Sequence, residues 1–172
     1  MSEAALKEDL NDIDMELESE SEKFSYLIFR VGDQKYATPL VEVREVIEYI
    51  EPNPIPNMRD HFMGVINLRG EVVGVVDLRV SFGEQSTKSS TMLVFDTEAG
   101  PISAIVDRVI SVTNIKPNEV EKNPNVKTKF NLNYYKGIAN HEDEFIHLVD
   151  LSSVLENDDL VAIRKAIHED GH

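Results

Sequence analysis

The sequence predicts a mainly β fold built from two similar small barrels, and three observations support this prediction. From residue 24 onwards, short β-branched runs alternate with turn signals. Two of these runs are joined by Arg69-Gly70, a tight turn in which Gly70 supplies the positive φ that such a turn needs. The plan of the first half then recurs in the second half, which favours two β-subdomains.

The repeat is visible in the spacing of glycine and aspartate. The interval from Gly64 to Asp77 is the same as the interval from Gly137 to Asp150. Residues 43–46 have a counterpart at residues 106–109. Chance similarity between short β segments is the alternative explanation for these matches.

The first half is predicted as strands and turns that lead to the Arg69-Gly70 hairpin. Three prolines within residues 52–56 predict a loop, because each removes a backbone donor and favours extended backbone before it. The other predicted elements are a strand at 24–31, a turn at 32–34, the start of a strand at 35–37, helix-like spacing at 40–46, extended chain at 47–50 and a helical turn at 59–63.

The second half is predicted to follow the same plan. Asp77 and Asp150 each follow an apolar strand, where an aspartate most simply ends the strand or caps a short helix. The predicted elements are a strand at 91–96, a turn at 100–101, strands at 102–106 and 109–115, a long loop with a short helix at 116–133, and hairpin strands at 134–139 and 144–149.

Both ends of the chain carry apolar stripes at helical spacing. The domain boundaries predicted here are an acidic leader at 1–23, the β domain at 24–157 and a C-terminal helix at 158–172. The C-terminal stripe is Leu160, Ile163 and Ile167, with Asp158 or Asp159 as the cap.

The leader contains nine acidic and two basic side chains. Its stripe consists of Leu6, Leu10, Ile13 and Leu17, at intervals of four, three and four residues. Two interpretations stay open: a disordered acidic tail, or a helix that docks on the barrel or on a partner.

Charge and composition exclude several classes of function. The formal net charge is −15, which disfavours nucleic acid and anionic membrane surfaces as partners. The chain has no cysteine, so disulfides and thiolate metal sites are excluded. No apolar run approaches the ~20 residues of a membrane span, and no signal peptide is visible, so we expect a cytoplasmic protein without membrane insertion.

The residues that carry chemistry form no catalytic motif, and we expect no enzyme, no metal site and no cofactor. The histidines are spaced unlike known zinc motifs and are expected to lie in exposed loops. They are His61, His141, His147, His168 and His172. The acidic run 142–144 is typical of a solvated turn.

The run at residues 64–79 closely resembles the GVxNLRGxxxPVxDLR signature of the CheW family, the adaptors of bacterial chemosensory arrays. The resemblance covers about residues 24–155 and departs from the family pattern at Gly74 and Ser103. It implies two intertwined five-stranded SH3-like barrels without catalytic activity. It further implies coupling of chemoreceptors, the methyl-accepting chemotaxis proteins, to the regulatory domain of a CheA-type histidine kinase.

The resemblance also implies the binding residues. Arg69 is expected to pair with Glu45 and to be displayed at a binding surface. The groove that receives the receptor tip is expected to include Val43, Gly64, Arg69, Met92, Leu93 and Val109. Within it, Val43, Met92 and Leu93 are expected to be exposed as an apolar floor, and Gly64 to admit another backbone.

The sequence leaves three alternative functions open. The first is the same scaffold in a pilus-type or other non-flagellar pathway. The second is a small-molecule-binding β-barrel, which would need a pocket with convergent polar groups. The third is an oligonucleotide-binding barrel, which the negative charge and the lack of a basic–aromatic strand disfavour. The chain is expected to be a monomer in isolation.

Overall fold

The computed structural model describes residues 24–56, 58, 60–84, 91–98, 100–122 and 135–153. The leader at 1–23 and the predicted C-terminal helix at 158–172 lie outside the described residues. The strands are β1 (Ser25–Val31), β2 (Gln34–Pro39), β3 (Val43–Glu48), β4 (Phe62–Leu68), β5 (Glu71–Asp77), β6 (Thr91–Thr97), β7 (Gly100–Val106), β8 (Arg108–Asn114), β9 (Val120–Glu121), β10 (Tyr135–His141) and β11 (Glu144–Val149). The helical segments are the α-helix α1 (Leu78–Ser81) and the 3₁₀ helices Leu40–Glu42, Pro117–Glu119 and Leu151–Ser153.

The strands form two sheets, which we call the central and the flanking subdomain. The central subdomain is the five-stranded sheet β3-β6-β7-β5-β4, made from one continuous stretch of chain. The flanking subdomain is the six-stranded sheet β8-β1-β2-β11-β10-β9, which takes two strands from before that stretch and four from after it. The chain therefore leaves the flanking subdomain, builds the central one and returns, so the two are intertwined.

Three apolar clusters form the interior: one core in each subdomain and one cluster that both share. Because successive side chains of a strand point to opposite faces, β1 sends Leu27 into a cluster shared by both sheets and Ile28 into the core of the flanking subdomain. Strand β6 does the same with Leu93 and Met92, the latter in the core of the central subdomain. The shared cluster makes the two sheets one packed unit.

The sequence repeat corresponds to a structural repeat. Phe29 of β1 pairs with Val109 of β8, and Phe95 of β6 pairs with Val43 of β3, with a bulge directly beyond each pair. Val43 and Val109 are therefore equivalent, and the counterpart of residues 43–46 is 109–112. The predicted counterpart at 106–109 is wrong, because Val106 ends β7 and the next residue crosses over to β8.

Four local predictions need correction. Residues 40–46 form a 3₁₀ helix and the start of β3, where pairing with β6 overrides the helix-like spacing. Of the helical turn expected at 59–63, residues 62 and 63 lie in β4, and residue 59 lies outside the described residues. Gly100 and Pro101 lie in β7, since Gly100 pairs with Thr97. The flanking sheet has a sixth strand, the two-residue β9, in addition to the five expected.

Candidate functional site

The Arg69-Gly70 turn is preorganised by its backbone. Leu68 pairs with Glu71, which leaves Arg69 and Gly70 as a two-residue loop with φ values of 51° and 86°. Two successive positive φ values are the mark of a type I′ turn, whose twist matches that of the flanking strands. The Gly70 N–H donates to Asn67 Oδ1 at 2.9 Å, which fixes the loop from within.

Two ion pairs fasten this hairpin to β3. Arg69 Nη2 donates to Glu45 Oε1, so the expected pair is present. In the second pair the arginine is on β3 and the carboxylate on the hairpin: Arg44 Nη1 lies 3.1 Å from Glu71 Oε2. The Arg69 side chain is 67% exposed and that of Glu45 27%. Exposed pairs contribute only about 0–1 kcal/mol each to stability, so their main effect is to hold the guanidinium in one orientation.

Strand β3 presents different chemistry on its two faces. Ile47 packs against the central core, and Glu45, two residues earlier, lies on the same side with its Arg69 partner. Val43 packs against the shared cluster. One face of β3 therefore closes the central subdomain, while the other borders the flanking subdomain.

An apolar strip of four valines lies over the cluster that the two subdomains share, on the edge strands β3 and β8. We call it the inter-barrel strip and define it as Val43 and Val46 of β3 together with Val109 and Val112 of β8. Val43 and Val109 are partly buried against the shared cluster. Val46 and Val112 are opposite Leu93 and Leu27, two members of that cluster, and are 46% and 55% exposed.

Val46 and Val112 were not predicted as site residues from the sequence. A bulge follows Val43 in β3 and Val109 in β8, so the next residue on the same face comes three positions later instead of two. The alternation rule therefore assigns both valines to the wrong face. The available signal was the valine spacing itself, since the pair Val43/Val46 recurs as Val109/Val112 in the second half of the chain.

Two residues predicted as an exposed floor are core residues. Met92 and Leu93 are both 0% exposed. They lie on β6, which is flanked by β3 and β7. Met92 faces the central core, and Leu93 faces the shared cluster on the other side of the sheet. Their expected exposure is wrong, and they lie beside β3 in the same sheet, where Leu93 pairs with Val46 and Met92 with Ile47.

Gly64 has the predicted close backbone contact, but the neighbouring backbone belongs to this chain. Its φ is 128°, and a Cβ placed on it would overlap the carbonyl oxygen of Asn53. Asn53 and Val65 exchange two backbone hydrogen bonds, of 2.8 and 3.0 Å. Gly137 does the same in the flanking subdomain, where its Cβ would lie 2.6 Å from the Glu121 carbonyl oxygen. The space at Gly64 is thus filled and is not open to a partner.

A buried charge network links the two subdomains. Asp77 caps α1 by accepting the Arg79 N–H at 3.0 Å, as predicted, and its other oxygen accepts Arg79 Nη2 at 2.8 Å. Arg79 Nη1 lies 3.6 Å from Asp107, which in turn accepts the Gly32 N–H at 2.6 Å. The hydrogen bond to Asp77 raises the pKa of Arg79 above its ordinary value. The network joins the β5–α1 corner to the crossover between the subdomains.

The second hairpin has the same turn with the opposite charge. Glu142 and Asp143 occupy the two loop positions with φ values of 50° and 63°. Lys35 forms an ion pair with Glu144, which lowers the pKa of that carboxyl. Asp150 caps the following 3₁₀ helix as expected, accepting from the Ser152 N–H at 3.1 Å. The basic tip thus belongs to the central subdomain and the acidic tip to the flanking one.

The three described histidines are at least partly buried: His61 lies in a turn, and the other two lie in strands. His147 is buried in β11, with its Nδ1 2.8 Å from the Tyr135 hydroxyl and its ring 5.3 Å from that of Tyr36. Burial lowers its pKa. His141 lies in β10, with Nδ1 3.2 Å from Glu119 Oε1. Among the described residues, no group of three or more potential ligands is placed to hold a metal ion, and no helix is long and apolar enough to cross a membrane.

Comparison with known proteins identifies similarity to one family. Residues 25–159 match the model of the CheW-like domain. The chain is 33% identical to chemotaxis protein CheW of Thermotoga maritima over 138 residues, covering 78% of this chain and 89% of the relative. It is 26% identical to chemotaxis protein CheW of Rhizobium meliloti over 136 residues, covering 77% and 88%.

A solved structure supports the same relationship at the level of the fold. The crystal structure of scaffolding protein TtCheW from Thermoanaerobacter tengcongensis superposes with a TM-score of 0.72 at 26% identity, covering 80% of this chain and 95% of that one. The predicted fold class, two SH3-like β-subdomains, is confirmed by this match and by the two sheets.

Proposed function

Because the chain belongs to the CheW family of chemotaxis scaffold proteins, we propose that it is a non-catalytic, cytoplasmic adaptor that couples chemoreceptors to a CheA-type histidine kinase. The observation that carries the proposal is the inter-barrel strip. It is an apolar surface, partly open to solvent, that lies between two subdomains sharing one core. A rigid seam of this kind suits a helical partner, such as the cytoplasmic tip of a receptor.

The strip has the dimensions that helix recognition needs. Val109 and Val112 are separated by three residues of strand, or about 10 Å. A helix covers that distance in roughly seven residues, so side chains at i, i+3, i+4 and i+7 would reach both walls. The buried neighbours Met92 and Leu93 add to the proposed receptor site by keeping the β3 wall rigid.

The Arg69 tip is the second part of the proposal. Its guanidinium is oriented by Glu45, and Arg44 and Glu71 hold the loop against β3. We assign this tip to contacts with the kinase regulatory domain and to array assembly, because a planar group with five donors, oriented but largely exposed, suits recognition across an interface. Val43, Glu45, Arg69 and Val109 thus keep their proposed binding roles, while Gly64 shapes the loop behind them.

The absence of catalysis is part of the same proposal. Several ionisable side chains that are common in active sites have structural partners here. Asp77 and Asp150 cap short helices, and Arg79 and Asp107 form the buried network. These uses support a protein whose output is binding.

The test measures the two partners separately by calorimetry, using the cytoplasmic tip of a receptor and the regulatory domain of the kinase from the same cell. Val112→Glu should weaken receptor binding at least tenfold, about 1.4 kcal/mol, and leave kinase binding intact. Ser111→Glu, on the same strand but the opposite face, is the matched control and should bind the receptor normally.

Arg69→Glu complements that test. It places a carboxylate beside Glu45 and removes the donor fork, so we expect a folded protein with weakened kinase binding and poor array assembly. Absence of binding to either partner by the unmodified chain would reject the adaptor proposal. Equal receptor affinity for the Val112 and Ser111 variants would reject the strip as the receptor site.

A further inference from the structure

The inter-barrel strip is unusual because its outer half is left uncovered by the described residues. Val46 and Val112 are 46% and 55% exposed, and Ile110, the bulge residue of β8, is also exposed. Exposed apolar side chains grouped over a shared core are a candidate interaction site. The strip therefore has room for a segment of this chain to dock when the receptor is absent.

The leader is attached at one end of this strip. The backbone N–H of Ile115 donates to the Phe24 carbonyl at 2.9 Å, and Ser25 pairs with Asn114 at the end of β8. Val112 is two residues before Asn114 on the same strand. Residues 1–23 therefore leave the fold directly beside the strip, and not from a distant surface.

The leader also has the length and pattern to cover the strip. Its apolar residues Leu6, Leu10, Ile13 and Leu17 span about 16 Å as a helix, enough to follow the roughly 10 Å strip. The eight residues from Leu17 to Ser25 reach at most about 26 Å, so the helix can turn back onto β8. The acidic residues between the apolar positions would stay in water on the other face.

Charge decides which force must drive the contact. The leader has a net charge of −7 and the rest of the chain −8, so their long-range interaction is repulsive. Docking must then depend on apolar burial, and added salt should strengthen it by screening the repulsion. A non-specific acidic tail would show no such contact at any salt concentration.

We propose that residues 1–23 fold back as an amphipathic helix that packs Leu6, Leu10, Ile13 and Leu17 on the inter-barrel strip, so that the leader and a receptor helix exclude one another. The mutual exclusion rests on the proposed receptor site. The docking itself does not depend on that function. The leader thereby acts as an internal competitor that sets the affinity for receptors.

Disulfide cross-linking tests the docking, because the chain contains no cysteine of its own. The probe is the full chain with Ile13→Cys and Val112→Cys, oxidised at low protein concentration. Asp12→Cys with Val112→Cys is the matched control, since residue 12 lies on the acidic face of the same helix. We expect the first pair to form an intramolecular disulfide about tenfold faster than the second, and faster still in added salt.

Other results would overturn the proposal. Equal rates for the two pairs would show that the leader has no preferred face towards the strip. A disulfide-linked dimer as the main product would place the leader on a second copy of the chain. Faster cross-linking of Ile163→Cys to Val112→Cys would assign the strip to the C-terminal segment instead.

A binding arm separates this proposal from the proposed function. Leu10→Glu with Ile13→Glu in the full chain should release the strip and tighten binding to the receptor tip several-fold, with kinase binding unchanged. Unchanged receptor affinity would overturn the mutual exclusion even where the cross-link forms. If neither form binds a receptor, the adaptor function fails, while the cross-link still decides whether the leader docks.

Discussion

At the scale of single residues, Gly64 and Gly70 show how two glycines of one hairpin have different duties. Both have positive φ, 128° and 86°. A Cβ on Gly70 would meet no atom within 4 Å, whereas one on Gly64 would overlap the Asn53 carbonyl. Gly70 is needed only for its conformation, but Gly64 is needed for conformation and for space.

This difference predicts unequal costs of substitution. Gly70→Ala should destabilise the fold by ~1 kcal/mol, the strain of a positive φ in a residue with a Cβ. Gly64→Ala should cost more than about 3 kcal/mol, because the strained φ is added to the loss of the Asn53–Val65 bridge. Urea denaturation of the two variants measures the costs, and equal midpoints would contradict this account of Gly64.

Sequence reasoning succeeded at the residues whose role is local. The positive φ of Gly70 and the capping by Asp77 and Asp150 follow from turn and cap chemistry within a few positions. It failed where long-range pairing decides. The burial of Met92 depends on the strands that flank β6, and no short-range pattern contains that information.

At the scale of elements, the four-residue helix α1 is too short to be stable by itself. It persists because Asp77 caps it and because Arg79, only 2% exposed, is held between Asp77 and Asp107. This arginine follows the strand in the sequence signature, but its burial was not predicted. An arginine is normally exposed, and the carboxylates of Asp77 and Asp107 together make its burial tolerable.

The network predicts that Asp77 contributes more to stability than Asp150, the equivalent helix cap in the second half of the chain. Asp77→Ala leaves Arg79 buried with its main partner lost and should destabilise the fold by about 3–5 kcal/mol. Thermal and urea denaturation should rank Asp77→Ala as costly, and Asp150→Ala, at the equivalent but more exposed cap, as milder at about 1 kcal/mol. A small effect of Asp77→Ala would show that the network is not important for stability.

At the scale of the whole molecule, the two subdomains share one hairpin plan and differ in the side chains at a few positions. The hairpins align through their glycines, since Gly64 matches Gly137 and both sit beside a bulge. On that alignment Arg69 becomes Glu142 and Gly74 becomes His147. The fold keeps its turns and caps in both copies, while the charge of the tips differs. The molecule therefore has two hairpin tips of the same backbone type and opposite charge.

Part of this picture was accessible from the sequence and part was not. The equal glycine-to-aspartate intervals, Gly64 to Asp77 and Gly137 to Asp150, revealed the hairpin copies, since each glycine lies beside a bulge and each aspartate caps the helix that follows. The counterpart of residues 43–46 was predicted at 106–109, three positions before its true place at 109–112. The bulges beyond Val43 and Val109 disturb the strand alternation on which such an alignment depends. For the same reason, the sequence did not predict Val46 and Val112 as residues of the strip.

His147 is the divergence with a consequence for the stability of the whole fold. Its ring lies beside Tyr36, which stacks on Phe82 at the end of α1, so the histidine supports the contact between the subdomains. Burial lowers its pKa below the unfolded value of about 6.5, so the native state holds the neutral ring. As the pH falls below that value, the unfolded chain takes up a proton that the native chain does not, and stability declines.

The expected result is a urea midpoint that falls between about pH 7 and pH 5.5, with a slope in unfolding free energy of at most ~1.4 kcal/mol per pH unit from this group. His147→Gln should flatten the profile in this range even if it lowers stability at neutral pH. His141→Gln is the control, because it removes a histidine that lies outside the buried Tyr36–Phe82 contact. Glu42 acts in the opposite direction, since burial raises its pKa and protonation favours the native state, so the comparison between variants carries the test. Identical slopes in the unmodified chain and the His147 variant would show that the buried imidazole does not control the acid side of the stability profile.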